Sequence, residues 1–155
     1  MSGRIFQINV SPSGGVPKQP VREAVVGERG IVGNRVANPK IHGGPLAALC
    51  LYSLEVIQAL QAEGHPIFPG SVGENITLSH LDWSRVTPGV RLQLGDEVLI
   101  EITKYTTPCE TIVESFADRD SMRILQKTHP GWSRVYAKVL QVGRIRVGDA
   151  VSVFH

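Results

Sequence analysis

The chain has 155 residues, of which 42% are hydrophobic and 19% charged, with a formal net charge of +2. That length suits a single domain, residues 1–155, with a core of its own. So small and scattered a positive excess does not select a nucleic acid as partner.

Two cysteines, Cys50 and Cys109, do not make a disulfide scaffold. No apolar run approaches the roughly 20 residues that cross a bilayer, so no membrane association is expected. No secretory leader pattern opens the chain, and a reducing cytoplasm is the expected compartment.

Residues 4–10 read as a strand with Phe6, Ile8 and Val10 on one face. A turn-rich loop, Ser11 to Lys18, leads to a second predicted strand over Gln19 to Val26, where Pro20 suits a start or an edge. Gly27 to Pro45 carries five glycines and little periodicity, the pattern of a long structured loop. Leu46 to Tyr52 is apolar and strand-like. A helix follows, capped by Ser53, with Ile57 and Leu60 on one face and Gly64 as its stop.

His65 to Gly73 is a loop, and Asn75 to Ser79 a short strand. Residues 90–100 alternate on either side of a Gly-Asp turn, and residues 144–153 repeat that pattern, so each predicts a hairpin. Short helices are expected over Glu110 to Phe116 and Met122 to Lys127, and a strand over Ser133 to Val142. The sum is a mainly β fold with a few short helices, a small β-barrel.

Four stretches carry candidate chemistry. In Thr106-Thr107-Pro108-Cys109-Glu110 a cysteine stands where a strand gives way to a helix. Helix N–H groups favour a thiolate, the form that attacks electrophiles or binds a soft metal, while Glu110 opposes it. The same cysteine also reads as a small semi-buried residue after a turn. Cys50, inside an apolar run, reads as a buried inert thiol.

Gly30-Ile31-Val32-Gly33-Asn34-Arg35 with His42-Gly43-Gly44-Pro45 offers backbone N–H groups to an anion, or tight turns only. Gly70 to Thr77 suits a polar heterocycle or phosphate, or ordinary loop capping. Arg134 stands at a strand start, where it can reach a phosphate, and Trp132 and Tyr136 are rim aromatics or plain core. The histidines have no zinc-ligand spacing.

In this order these stretches resemble the MOSC domain, named for the C-terminal domain of molybdenum-cofactor sulfurases. The matching pieces are GIVGNR (30–35), HGGP (42–45), ALCLYSLE (48–55), PGSVGENIT (69–77), the Pro108-Cys109 pair, PGWSRVYAKVL (130–140) and Gly148-Asp149. The resemblance implies a β-barrel-like fold and the molybdenum cofactor (molybdopterin). Cys109 is then metal ligand and catalytic residue, and Arg35, His42, Asn75, Thr77 and Arg134 are cofactor-binding candidates.

It also implies reduction of N-hydroxylated compounds, small-molecule substrates, with electrons from a separate donor protein. The alternatives are a sulfur carrier holding a persulfide on Cys109 for a cysteine desulfurase, and a non-enzymatic binding module. Pyridoxal phosphate is not expected on this chain. The chain departs from common family forms at Asn34, where Asp is frequent, at Leu46 and Ala47 in place of Asp-Arg, and at Thr106 and Thr107, near which some relatives carry an arginine.

Overall fold

A computed structural model describes residues 3–34 and 44–154. Arg35 and His42 lie outside the described residues. The strands are β1 (Gly3–Val10), β2 (Gln19–Val21), β3 (Glu23–Gly27), β4 (Gly30–Ile31), β5 (Leu49–Ser53), β6 (Ile76–Ser79), β7 (Arg91–Leu94), β8 (Val98–Tyr105), β9 (Val135–Gln141), β10 (Gly143–Arg146) and β11 (Ala150–Phe154). The α-helix is α1 (Leu54–Ala62), and short 3-10 helices occupy Pro45–Ala47, Trp83–Arg85, Glu110–Ser115 and Ser121–Ile124.

Seven strands close into a barrel in the order β11-β7-β8-β9-β5-β6-β1, because β1 pairs back onto β11. β2 extends the sheet outside the ring, and β10-β3-β4 form a separate small sheet. Closure leaves the ring without edges, which explains how strands this short hold together. The barrel is antiparallel except at β5–β6, a parallel pair that requires a crossover.

Helix α1 supplies part of that crossover. Its N-cap Ser53 accepts a hydrogen bond from Val56 N, as the sequence predicts. Ile57 and Leu60 are its buried residues. All five residues of β5 are buried, flanked by β6 and β9. In β8 the apolar residues Val98, Ile100 and Ile102 are buried while the residues between them are only partly so.

Four expectations are corrected. A bulge in the β1–β6 pairing between Ile5 and Gln7 reverses the facing of β1, so Phe6 is 43% exposed while Ile5 and Ile8 are buried. Asn9, on the opposite face from Ile8, is also fully buried, with its Nδ2 donating to Glu74 O and Thr77 Oγ1. The predicted strand 19–26 is two strands, because β2 pairs with β1 and β3 with β10. The apolar stretch from Leu46 starts within the 3-10 helix Pro45–Ala47 and becomes strand only at Leu49.

The second Gly-Asp unit is not a hairpin. β10 pairs with β3, whereas β11 pairs with β7 and β1. Gly148 N donates to Ile5 O and Ile5 N donates to Asp149 O, so the turn docks on β1 and carries the chain between sheets. The first unit is a true hairpin, with Leu94 opposite Val98. No helix among the described residues is long and apolar enough to cross a membrane.

Candidate functional site

Cys109 ends the segment that leaves β8 and stands at the N-cap position of the 3-10 helix Glu110–Ser115. Its side chain makes no hydrogen bond to the backbone N–H groups of that helix. The sulfur instead lies 2.8 Å from Thr111 Oγ1. The contact expected with helix N–H groups is thus absent, and a hydroxyl contact stands in its place.

Cys109 and Thr111 line a cavity of about 280 Å³. The wall opposite the loop is built from the barrel. Cys50 on β5, Asn75 just before β6, and Arg134 and Tyr136 at the start of β9 all line it. The N-terminal loops add Lys18 and Asn34, with Arg29 at an exposed position. Asn75, Arg134 and Cys109 thus meet at one cavity, although 59 residues separate Asn75 from Arg134 in the chain.

Asn75 is held from three sides. Its backbone N donates to Cys50 O at 2.7 Å, its carbonyl accepts from Asn9 N at 2.7 Å, and its side-chain Oδ1 accepts from Cys50 N at 2.9 Å. Because Cys50 N is a donor, the atom facing it must be the oxygen, which leaves Nδ2 as the free end. That buried Nδ2 has no hydrogen-bond partner. Arg134 is 5% exposed, donates from one terminal nitrogen to Val72 O at 2.7 Å, and leaves a buried Nε without a partner. Asn75 and Arg134 both line the cavity, and each carries one buried donor nitrogen without a partner.

Thr77 does not line this cavity. It is fully buried behind it, where its hydroxyl donates to Glu74 Oε2 at 3.0 Å and accepts from Asn9 Nδ2 at 3.1 Å. Its hydroxyl is taken up by Asn9 and Glu74 rather than by the cavity. Trp132 also stands outside the cavity, with the Arg123 guanidinium 4.1 Å from its ring centroid.

Glu74, Lys18 and Cys50 were not read as site residues from the sequence. No periodicity marks Lys18 in its Gly/Pro-rich loop as buried, and Cys50 shows only its apolar neighbours. Burial pushes the Cys50 thiol up to about 11, partly opposed by Arg134 and Lys18. It stays protonated at neutral pH. Cys109, half-buried at the mouth, is therefore expected to react first when native protein meets iodoacetamide; peptide mapping that finds Cys50 modified first would overturn this assignment.

Burial likewise pushes Glu74 up to about 7, against the opposing pull of backbone N–H groups, Thr77 and Arg134. A carboxyl raised in the folded state holds its proton there longer than in the unfolded chain. Stability is therefore full below the ordinary carboxylate range and falls as pH rises from about 4.5 to about 7. The loss is on the order of 3 kcal/mol. Urea unfolding at pH 5 and pH 8 checks it: Glu74→Gln should remove this part of the pH dependence, and an unchanged slope would exclude Glu74 as its source.

Among the described residues no group of three or more His, Cys, Asp or Glu gathers as a metal site. A metal at Cys109 thus needs further donors from a ligand that brings its own. The residues fit such a group: a soft sulfur lines the cavity together with the polar side chains of Asn75 and Arg134.

Comparison with known proteins gives the family and the fold. The MOSC domain model matches residues 38–152. An uncharacterized Bacillus subtilis protein, YflK, is 29% identical over 136 residues, covering 86% of this chain and 60% of YflK. A protein from Gibberella moniliformis named as a reductase is 29% identical over 129 residues, covering 80% of this chain and 22% of that protein. The chain thus spans less than two thirds of either relative. The crystal structure of YiiM from Geobacillus stearothermophilus superposes with a TM-score of 0.72 at 26% identity, covering 99% of this chain and 75% of YiiM. The chain belongs to the MOSC domain family.

Proposed function

We propose that this domain binds the molybdenum cofactor in the cavity beneath Cys109 and reduces N-hydroxylated compounds with electrons from a separate donor protein. The observation that carries the reading is that Cys109, Asn75 and Arg134 line one cavity, the last two each holding a buried donor without a partner. Family membership and the name of the Gibberella relative support it.

In this reading Cys109 supplies a soft thiolate to the metal, and Thr111 holds the sulfur in place. Asn75 and Arg134 donate to the polar part of the cofactor. When bound, the cofactor supplies a metal that cycles the two electrons of the reaction. Removal of the N-linked hydroxyl takes up those two electrons and two protons and releases water. Tyr136 stays a neutral phenol at the cavity wall, because burial raises it far above its ordinary range, so it keeps a proton in the site. Both cysteines are free, which suits a reducing cytoplasm.

Metal and pterin analysis of protein reconstituted with the cofactor tests the proposal. Molybdenum and pterin should co-purify in near-equal amounts. Absence of both after reconstitution overturns it, and an added sulfur on Cys109 without metal, seen by mass spectrometry, replaces it with the sulfur-carrier reading.

A further inference from the structure

A second cavity, of about 200 Å³, shares no lining residue with the one that holds Cys109. The stretch from Pro130 to Tyr136 contributes to both: Pro130, Gly131 and Ser133 line the second, Arg134 and Tyr136 the first. Two aromatic side chains, Trp83 and Tyr105, border the second cavity together with the buried Val86. Trp83 is fixed in place. Its Nε1 donates to Ser133 O at 2.9 Å, and its ring stands edge-on to Tyr52 with centroids 6.2 Å apart. With that N–H already taken, Trp83 offers a ligand apolar ring surface.

The polar groups of the lining are few and partly spent. Ser84 Oγ donates to Asp82 Oδ1 and Ser133 Oγ to Arg134 O, each at 2.6 Å. Gln126 differs. Its Oε1 accepts from Gly131 N at 3.1 Å, so the oxygen faces the loop and Nε2 is the free end. Among the described residues Nε2 has no hydrogen-bond partner.

No lysine, arginine, histidine, aspartate or glutamate lines this cavity. A charged ligand would lose its hydration there with no opposite charge to meet it. An apolar cavity of roughly 150 Å³ holds benzene, so the volume here suits one ring bearing a small polar group.

We propose that this second cavity binds an uncharged, single-ring aromatic molecule, its ring among Trp83, Val86 and Tyr105 and its carbonyl-type acceptor on Gln126 Nε2. The site is independent of the chemistry at Cys109 and of any metal.

Benzamide is the probe, titrated into isotope-labelled, cofactor-free protein and followed by NMR. Benzoate, the same ring bearing a charge, is the comparison. The two tryptophans of the chain locate the ligand, because Trp83 lines the cavity and Trp132 does not. Benzamide should saturate with a Kd on the order of 1 mM and shift the Trp83 indole N–H signal more than that of Trp132. Benzoate should bind at least about tenfold more weakly. Gln126→Glu keeps an acceptor for Gly131 N but loses the amide donor and gains a charge. It should melt close to wild type and bind benzamide at least about tenfold more weakly.

Four results overturn the proposal: no saturation of wild type up to about 10 mM benzamide, benzoate bound as tightly as benzamide, shifts centred on the Cys109 cavity instead of Trp83, or undiminished binding by folded Gln126→Glu. The first three need wild type alone, so they decide the matter whether or not the variant folds. Because the protein is free of cofactor throughout, failure of molybdenum loading leaves this titration unaffected.

Discussion

Cys109→Ser should leave the domain folded and remove most bound molybdenum together with reductase turnover. Serine is close to the size of the native side chain, and its hydroxyl can still hydrogen-bond to Thr111, whose Oγ1 lies 2.8 Å from the Cys109 sulfur. It replaces a polarisable sulfur with a hydroxyl that is a harder ligand and far less acidic. Metal content should therefore fall at least about tenfold, while Tm moves within the range of a surface substitution, roughly 0.5 kcal/mol. Cys50→Ser is the matched control. Its hydroxyl enters a wall shared with Tyr136 and the apolar Ala47, so it should cost stability, on the order of 1–3 kcal/mol. Metal analysis and thermal melting of both variants, after reconstitution with cofactor and a competent electron donor, decide the matter. Full metal loading and wild-type turnover by Cys109→Ser would sink the mechanism.

Gly30→Ala should be the most damaging single methyl addition near the site. Gly30 has φ +114°, a conformation side chains rarely adopt, and its Cβ would run into the backbone carbonyl oxygen of Ala48. Backbone cannot give way as a flexible side chain does, and Ala48 leads directly into β5. Strain and overpacking together predict a loss of about 3 kcal/mol or more, a fall in Tm of roughly 6–12 °C for a chain of this size. Gly33→Ala separates the two causes. Gly33 also has positive φ, at +91°, but nothing lies within 4 Å of its added Cβ, so the substitution carries backbone strain alone, of the order of 1 kcal/mol. Equal melting temperatures for the two variants would show that contact with Ala48 contributes nothing. Because Ala48 and Ile31 both line the cavity, Gly30→Ala should also weaken cofactor binding.

The glycine-rich GIVGNR stretch is legible in the sequence as special, but its reason is not. It reads as an anion cradle or as turns. In the structure Gly30 serves a close backbone approach, while Asn34 accepts hydrogen bonds from Lys18 Nζ and Ser11 N. Sequence spacing carries no information about a contact between residues 30 and 48.

Local chemistry by itself determined much of this protein. Alternation in β8, the Ser53 cap and Gly64 stop of α1, the hairpin around Gly95-Asp96, and the contrast between buried Cys50 and half-exposed Cys109 are all properties of a few neighbouring residues. Such patterns survive folding because they depend on period, propensity and local polarity. Tertiary pairing decided the rest. The bulge that exposes Phe6 exists only against β6, and the second Gly-Asp turn changes sheets because β1 and β3 offer partners to its two arms. Thr77 and Asn75 stand two residues apart in one motif, yet Asn75 opens on the cavity and Thr77 supports Glu74 behind it. Lys18 becomes a site residue only because barrel closure carries its loop over the wall formed by β5 and β9. Placement of that kind is a fact of three-dimensional packing, and no pattern along the chain records it.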